Sequence, residues 1–290
     1  MIQYLYLGRV SYQEGLRLQA EIAALLAQGR VRNALLLLEH PPVLTLGRNA
    51  DRANVLASAE LLARRGVTVH EINRGGDVTY HGPGQLVGYP IFDLRRLRNP
   101  SGGRMGPVDF VRRMEEALIR LCGGFGVQAG RICGLTGVWC GVNEGLGTEG
   151  LGTKGMGANA AAARKIAAIG IHVSRGITTH GFAFNITTDL RDFDLIVPCG
   201  IRDHAVTSLA LEVKRPENLP SLEAVAHRAA LEFGQVFDQQ VLAVESLAAL
   251  REQAEAAPTI EPAFPAQDTP LRVPAEVERL TGNKGRPVQS

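Results

Sequence analysis

The chain has 290 residues, 45% of them hydrophobic and 21% charged, with a formal net charge of +2. That length can bury one large core or two modest ones, and the composition is that of a globular protein. A nearly neutral balance gives no reason to expect nucleic acid as the main partner, and no apolar run approaches the roughly 20 residues of a membrane span.

The start, MIQYLYLGRVSYQEG, lacks a basic segment followed by a long apolar one, so no signal peptide is expected. IQYLYLG alternates as a strand, and SYQEGLRLQAEIAALLAQG reads as a helix whose Ser11 and Glu14 are spaced as a capping box. ALLLLEH (34–40) and VLTLG (43–47) are short apolar runs suited to buried strands, separated by Pro41-Pro42. A short helix around 58–65 leads to the strand VTVHEI (67–72), which delivers RGGDVTYHGPGQLVGYP (74–90). That segment crowds conformationally special residues beside hydrogen-bonding ones, more than a plain turn requires. QLVGYPIFDL (85–94) continues as another strand.

PVDFVRRMEEALIRLCGGFG (107–126) places Phe110, Val111, Met114, Leu118 and Leu121 on one helical face and ends at its glycines. TGVWCGV (136–142) predicts a strand. The Gly-rich run at 143–163, with an imperfect Gly-Leu-Gly-Thr repeat, predicts a flexible surface insertion and lacks the GxxxxGK[ST] spacing of a phosphate loop. RKIAAIGIHVSRGITTHGFAFNI (164–186) predicts a series of short strands with tight turns. Helices are expected over 220–238 and 241–257, and from Pro258 the tail is expected to be extended or disordered. The predicted organisation is one main body over 1–240 carrying the insertion, then a C-terminal extension over 241–290. Helical crossovers do not alternate regularly with the strands, which argues against a doubly wound sheet.

Four cysteines (Cys122, Cys133, Cys140, Cys199) occur without CxxC spacing, so reduced thiols and a cytoplasmic setting are the default. The histidines have no local zinc-site spacing, and nothing asks for a metal. Cys122 and Cys140 read as core residues, while Cys133 has no assignment. Cys199 stands in FDLIVPCGI, where Pro198 fixes the backbone before it and Gly200 lets a substrate approach closely, the setting of an exposed thiol. A free thiol is mostly protonated at neutral pH and needs a partner to become a nucleophile. Lys165, a lone lysine at the edge of the apolar strand KIAAIGI, qualifies. The ordinary reading is a surface lysine whose stem covers apolar residues. As a partner, a desolvated amine would accept the thiol proton, whereas a thiolate would hold the lysine as an ammonium; both resting states are open.

RGGDVTYHGPGQLV resembles the signature RGGxxT-aromatic-HxxGQ of the lipoyl(octanoyl) transferase family at every fixed position. KIAAIGI, THGFAFNI and PCGI resemble that family's three later blocks, in order and at suitable spacing. The similarity covers roughly residues 5–240 and excludes the Gly-rich insertion and the tail. The resemblance implies an α/β fold of the α+β type: a mixed, largely antiparallel sheet with flanking helices, as in biotin and lipoate ligase catalytic domains. It implies transfer of an octanoyl group from octanoyl-acyl carrier protein to the lysine of a lipoyl domain, on 2-oxoacid dehydrogenases or the glycine cleavage H protein. Cys199 matches the acyl-thioester nucleophile, and Lys165 the lysine that tunes it and acts as acid and base. Arg74, Gly75, Gly76, Asp77, Val78, Thr79, Tyr80 and His81 match the first substrate-binding segment. Ala168, Ile169 and Gly170 match the second, and Gly181, Phe182 and Ala183 the third.

Under that reading Gly75 and Gly76 allow close backbone approach to the acyl chain, and Thr79, His81 and Gln85 orient loops or the thioester carbonyl. Backbone N–H groups near Gly170 or the RGG turn are candidates for the oxyanion. A thioester is already activated, so no cofactor is implied, and two steps at one nucleophile predict ping-pong kinetics. The competing readings are an ATP-dependent lipoate or biotin ligase on the same fold, a non-catalytic protein that binds lipoyl domains or acyl carrier protein, and a cysteine hydrolase. Cys199 and Lys165 standing together in matching blocks argue against the first two. Water rather than lysine as acceptor would mark the third.

Overall fold

In the computed structural model the described residues are 1–99, 102–142, 163–198 and 204–257. The chain opens with β1 (Ile2–Arg9), α1 (Tyr12–Ala27), β2 (Asn33–Glu39) and β3 (Val43–Leu46). Ser11 caps α1 by accepting the N–H of Glu14 on its side chain. α2 (Ala59–Arg64), β4 (Thr68–Glu71), β5 (Val78–His81) and β6 (Gln85–Ile91) follow, then the long α3 (Pro107–Gly123). The second half holds β7 (Ala129–Ile132), β8 (Leu135–Cys140), β9 (Arg164–Ser174), β10 (Ile177–Asn185), β11 (Ala205–Val206), α4 (Leu209–Glu212), α5 (Leu222–Phe237), β12 (Val241–Ala243) and α6 (Leu247–Ala256).

The main sheet runs β12-β1-β2-β6-β10-β9-β8-β7, with β11 beside β9, and a small second sheet runs β4-β3-β5. Pairings from β2 to β7 along the main sheet are antiparallel, while β12/β1, β1/β2 and β11/β9 are parallel. The chain thus forms the mixed, largely antiparallel sheet with flanking helices. β2 shows why ALLLL is a continuous apolar run: Leu35 and Leu37 face the core under α3 and α5, and Leu36 and Leu38 face the core under α1 and α6. A strand covered on both faces has no polar side to alternate with. The third core lies under the small sheet, where Phe193, Leu195 and Ile196 pack against Leu44, Val78 and Tyr80.

Two segments differ from expectation. The short strands predicted over 164–186 are one long hairpin of β9 and β10, closed by Arg175 and Gly176, both at positive φ. Such a two-residue turn matches the twist of its strands, so the hairpin needs no break. The C-terminal extension is not a single helix at its start. Val241–Ala243 forms β12 and pairs in parallel with β1, and α6 then buries Leu250 and Ala254 against the α1 core. The predicted insertion at 143–163, apart from Ala163, and the tail from Pro258 lie outside the described residues. No helix of the described residues is long and apolar enough to cross a membrane.

Candidate active site

Lys165 owes its position to one irregularity of the sheet. β8 and β9 pair Val138 with Ala167 and then Trp139 with Lys165, so one step on β8 matches two on β9 and Ile166 is extra. In an unbroken strand Lys165 would share a face with Ala167 and Ile169, which pack toward α3 and α5. The bulge turns it to the other face, where it lines a cleft with Ala168, Ala183, Thr79, Gln85 and Asn185. The cleft opens to solvent, and the unfilled space in it and at its mouth is about 280 Å³. Lys165 is buried, 7% exposed, with its Nζ 4.6 Å from the centre of the Trp139 ring. Gly137 makes room for the stem: a Cβ there would stand 2.6 Å from the Ala167 carbonyl oxygen and 3.4 Å from Lys165 Cε.

The opposite wall comes from the RGG segment, whose polar side chains form a buried relay. Arg74 donates to the Thr45 carbonyl at 2.8 Å and to Thr45 Oγ1 at 2.9 Å. The hydroxyl proton is therefore free to point at His81 Nε2, 3.4 Å away. His81 Nδ1 then carries the ring proton and donates to Gln85 Oε1 at 2.8 Å. Gln85 Nε2 donates to Asn185 Oδ1 at 2.9 Å, Asn185 Nδ2 donates to the Thr207 carbonyl at 2.9 Å, and the Thr207 N–H donates to the Lys165 carbonyl at 2.9 Å. Each donor meets an acceptor, which is what lets so many polar groups sit inside. The relay ties the small sheet to the backbone of Lys165.

The other predicted site residues divide by direction. In the first segment Thr79 lines the cleft, whereas Val78 and Tyr80 point into the small-sheet core, Tyr80 donating to Asp192 Oδ2 at 2.6 Å. Asp77 locks a loop, accepting the N–H groups of Asp51 and Val78 and the amide of Asn54. The Gly75 N–H donates to the Ile171 carbonyl at 3.0 Å, and Gly76 has φ +92°, open to glycine. In the hairpin Ala168 and Ala183 line the cleft, while Ile169 and Phe182 face the α3/α5 core. Gly170 and Gly181 are contact points: a Cβ would fall 2.8 Å from the Gly75 oxygen and 2.1 Å from the Gly88 oxygen.

Burial sets the electrostatics. It pushes His81 down to about 3, helped by His40 and by the Arg74 charge, and pushes His40 and His180 down to about 4. All three imidazoles are neutral, and His81, with both nitrogens engaged, is a structural relay member rather than a free base. Burial raises the Cys122 thiol and pushes Cys140 up to about 12, so both keep their protons at neutral pH, while Cys133 is exposed. Cys199 lies outside the described residues. Pro198 before it lines the cleft, held there because Val197 donates to the Asn54 carbonyl at 2.7 Å and Ile196 bridges Val55. No cluster that could hold a metal ion occurs among the described residues.

Thr45, Trp139 and Asn185 were not singled out from the sequence. Thr45 and Asn185 read there as ordinary strand residues, and only tertiary pairing brings them to the relay. Trp139, the chain's only tryptophan, carried a compositional signal and no spatial one.

A family model described as the lipoyl protein ligase A/B catalytic domain matches residues 11–234. An octanoyltransferase of Acidobacterium capsulatum is 57% identical over 247 residues, covering 85% of this chain and 94% of the relative. An octanoyltransferase of Koribacter versatilis is 48% identical over 280 residues, 97% of each chain. Among solved structures, a bipartite lipoate protein ligase from Thermoplasma acidophilum, studied with its E2 lipoyl domain, aligns with a TM-score of 0.61 at 15% identity, covering 88% of this chain and 91% of that one. A lipoate-protein ligase A bound with ATP aligns at 0.60 and 14% identity, covering 88% and 93%. At such identities the structural likeness is one of fold.

Proposed function

This chain belongs to the lipoyl(octanoyl) transferase family, and from that premise we propose that it moves an octanoyl group from octanoyl-acyl carrier protein to the lysine of a lipoyl domain, in the cytoplasm, through a thioester on Cys199. The Cys199 sulfur attacks the donor carbonyl and the carrier thiol leaves with a proton. The acceptor lysine amine then attacks the enzyme thioester, and Cys199 leaves as the amide forms. Lys165 takes the Cys199 proton and returns one to the leaving sulfur. The acceptors are lipoyl domains of 2-oxoacid dehydrogenases and of the glycine cleavage H protein. The catalytic body spans 1–240, with the Gly-rich run an insertion within it and the start of the extension packed onto it through β12 and α6.

The observation that carries this reading is the cleft shared by Lys165 and Pro198. Cys199 follows Pro198 directly, and consecutive Cα atoms are about 3.8 Å apart. On the far side of 199–203, Val206 pairs with Lys165 itself. The two alanines, Ala168 and Ala183, keep the cleft floor small and apolar.

The test is intact-mass analysis after exposure to octanoyl-acyl carrier protein without ATP. An octanoyl adduct should form on Cys199, be removed by hydroxylamine, be discharged by an added lipoyl domain, and be absent in Cys199→Ser. An adduct on Cys122, Cys133 or Cys140, or a requirement for ATP, would overturn the reading.

A further inference from the structure

We infer that Trp139 is the positioning residue for Lys165: its indole face seats the amine and favours the ammonium form that Lys165 takes on when it accepts the thiol proton. The inference rests on the catalytic reading of Lys165. The Lys165 stem lies between the bare backbone of Gly137 and the ring of Trp139, two residues apart on β8. Among the described residues no carboxylate pairs with this buried amine, and the ring is its partner at 4.6 Å. An aromatic face attracts an ammonium through its quadrupole and does little for a neutral amine. The contact is therefore stronger once the thiol proton has arrived on the amine.

The ring itself is held. Trp139 is fully buried, its Nε1 donates to the Leu135 carbonyl at 3.3 Å, and His204 meets it edge-on with ring centres 5.1 Å apart. Other titratable groups on the surrounding elements have their own partners or lie behind the lining. Arg164 pairs with Glu212, Glu115 holds the Gly137 N–H, and His81 lies behind Gln85. Cys140 is a buried thiol on β8, and Asp192 near Phe193 pairs with Arg65. Among the described residues the buried Nδ1 of His204 has no hydrogen-bond partner, and its ring meets the tryptophan edge-on and offers the lysine no counter-charge.

Because Trp139 is the chain's only tryptophan, growth on mono-, di- and trifluorotryptophan changes this ring alone while nearly preserving its size. The measurement is single-turnover acylation of Cys199 by octanoyl-acyl carrier protein against pH, with melting temperature as the control for folding. Acylation above neutral pH should fall stepwise with each fluorine, by about 3- to 30-fold across the series, the range of a partly desolvated cation–π contact. The basic limb of the profile should move to lower pH. Trp139→Phe, with a smaller face, should fall between the parent and Trp139→Leu. A flat fluorine series, with Lys165→Ala inactive, overturns the role of the ring and leaves that of the lysine. Lys165→Ala acylating at the parent rate removes the catalytic reading of Lys165, and this inference with it.

Discussion

The carboxylate of Glu115 accepts the backbone N–H of Gly137 at 3.0 Å. It reaches there from α3, on the face of the sheet away from the cleft. Gly137 lies where β8 is irregular against both neighbours, so its N–H has left the regular ladder. Glu115 is fully buried and is balanced by Arg112 at 2.7 Å and Arg131 at 3.1 Å. The charge thus props the strand that walls in Lys165. Glu115→Leu should destabilise the protein by about 1.5–3 kcal/mol, the worth of a hydrogen bond to a charged group. Glu115→Gln, which keeps an acceptor for Gly137, should lose less. Urea unfolding of both variants checks this; equal midpoints for Leu and the parent would show that the carboxylate holds nothing.

Gly137→Ala tests the same wall from the other side. Its Cβ would overlap the Ala167 oxygen, and Gly137 has φ +130°, where side chains are strained by about 1–3 kcal/mol. Octanoyl transfer should fall in the fraction that remains folded, because the overlap displaces the segment that aims Lys165. Activity per folded molecule, with folding followed by near-ultraviolet circular dichroism, is the readout.

Lys165→Arg should lose transfer by on the order of 10²–10⁴-fold, because guanidinium keeps the charge but cannot act as a base. The larger head must fit against Trp139, so Lys165→Met serves as a close match in length without charge. Near-parent acylation of Cys199 in the Arg variant would rule out proton transfer by this residue.

Acid should unfold the protein early. His40, His81 and His180 have folded values of about 4, 3 and 4, below the ordinary 6.5. The unfolded chain therefore binds more protons as pH falls below 6.5, and the stability of the neutral, buried imidazoles, complete above that pH, is lost on the way down toward the folded values. Each contributes a slope of up to ~1.4 kcal/mol per pH unit. Urea unfolding between pH 7 and 4 should show this, and His40→Gln, which can still reach Val10 and Tyr89, should remove close to one proton from the slope. An unchanged slope would remove His40 from the account.

Cys140 pairs directly with Arg164, so the chain leaves β8 and enters β9 at one place in the sheet. Replacing most of 143–162 by a short turn should leave folding and transfer nearly intact. Loss of transfer in a well-folded deletion variant would mean that the segment meets a substrate.

Much of the fold was legible because it depends on local pattern. The continuous apolar run at 34–38 marked a strand buried on both faces, Ser11 marked the start of α1, and the spaced apolar residues of 107–121 marked the buried stripe of α3. The motif residues from Arg74 to Gln85 were legible as a unit because residue identities and spacing survive in the sequence itself. Their individual directions were not. Strict alternation sends Lys165 toward the core with Ala167, and only the extra residue Ile166, forced by pairing with β8, turns it to the cleft. The partners of the relay, Thr45 and Asn185, and the ring beneath the lysine lie far away along the chain, and β12 is a strand only because β1 offers it an edge. Periodicity records what each residue meets next to it. Which residues share a cleft is decided by long-range strand pairing, where one bulge reverses a face.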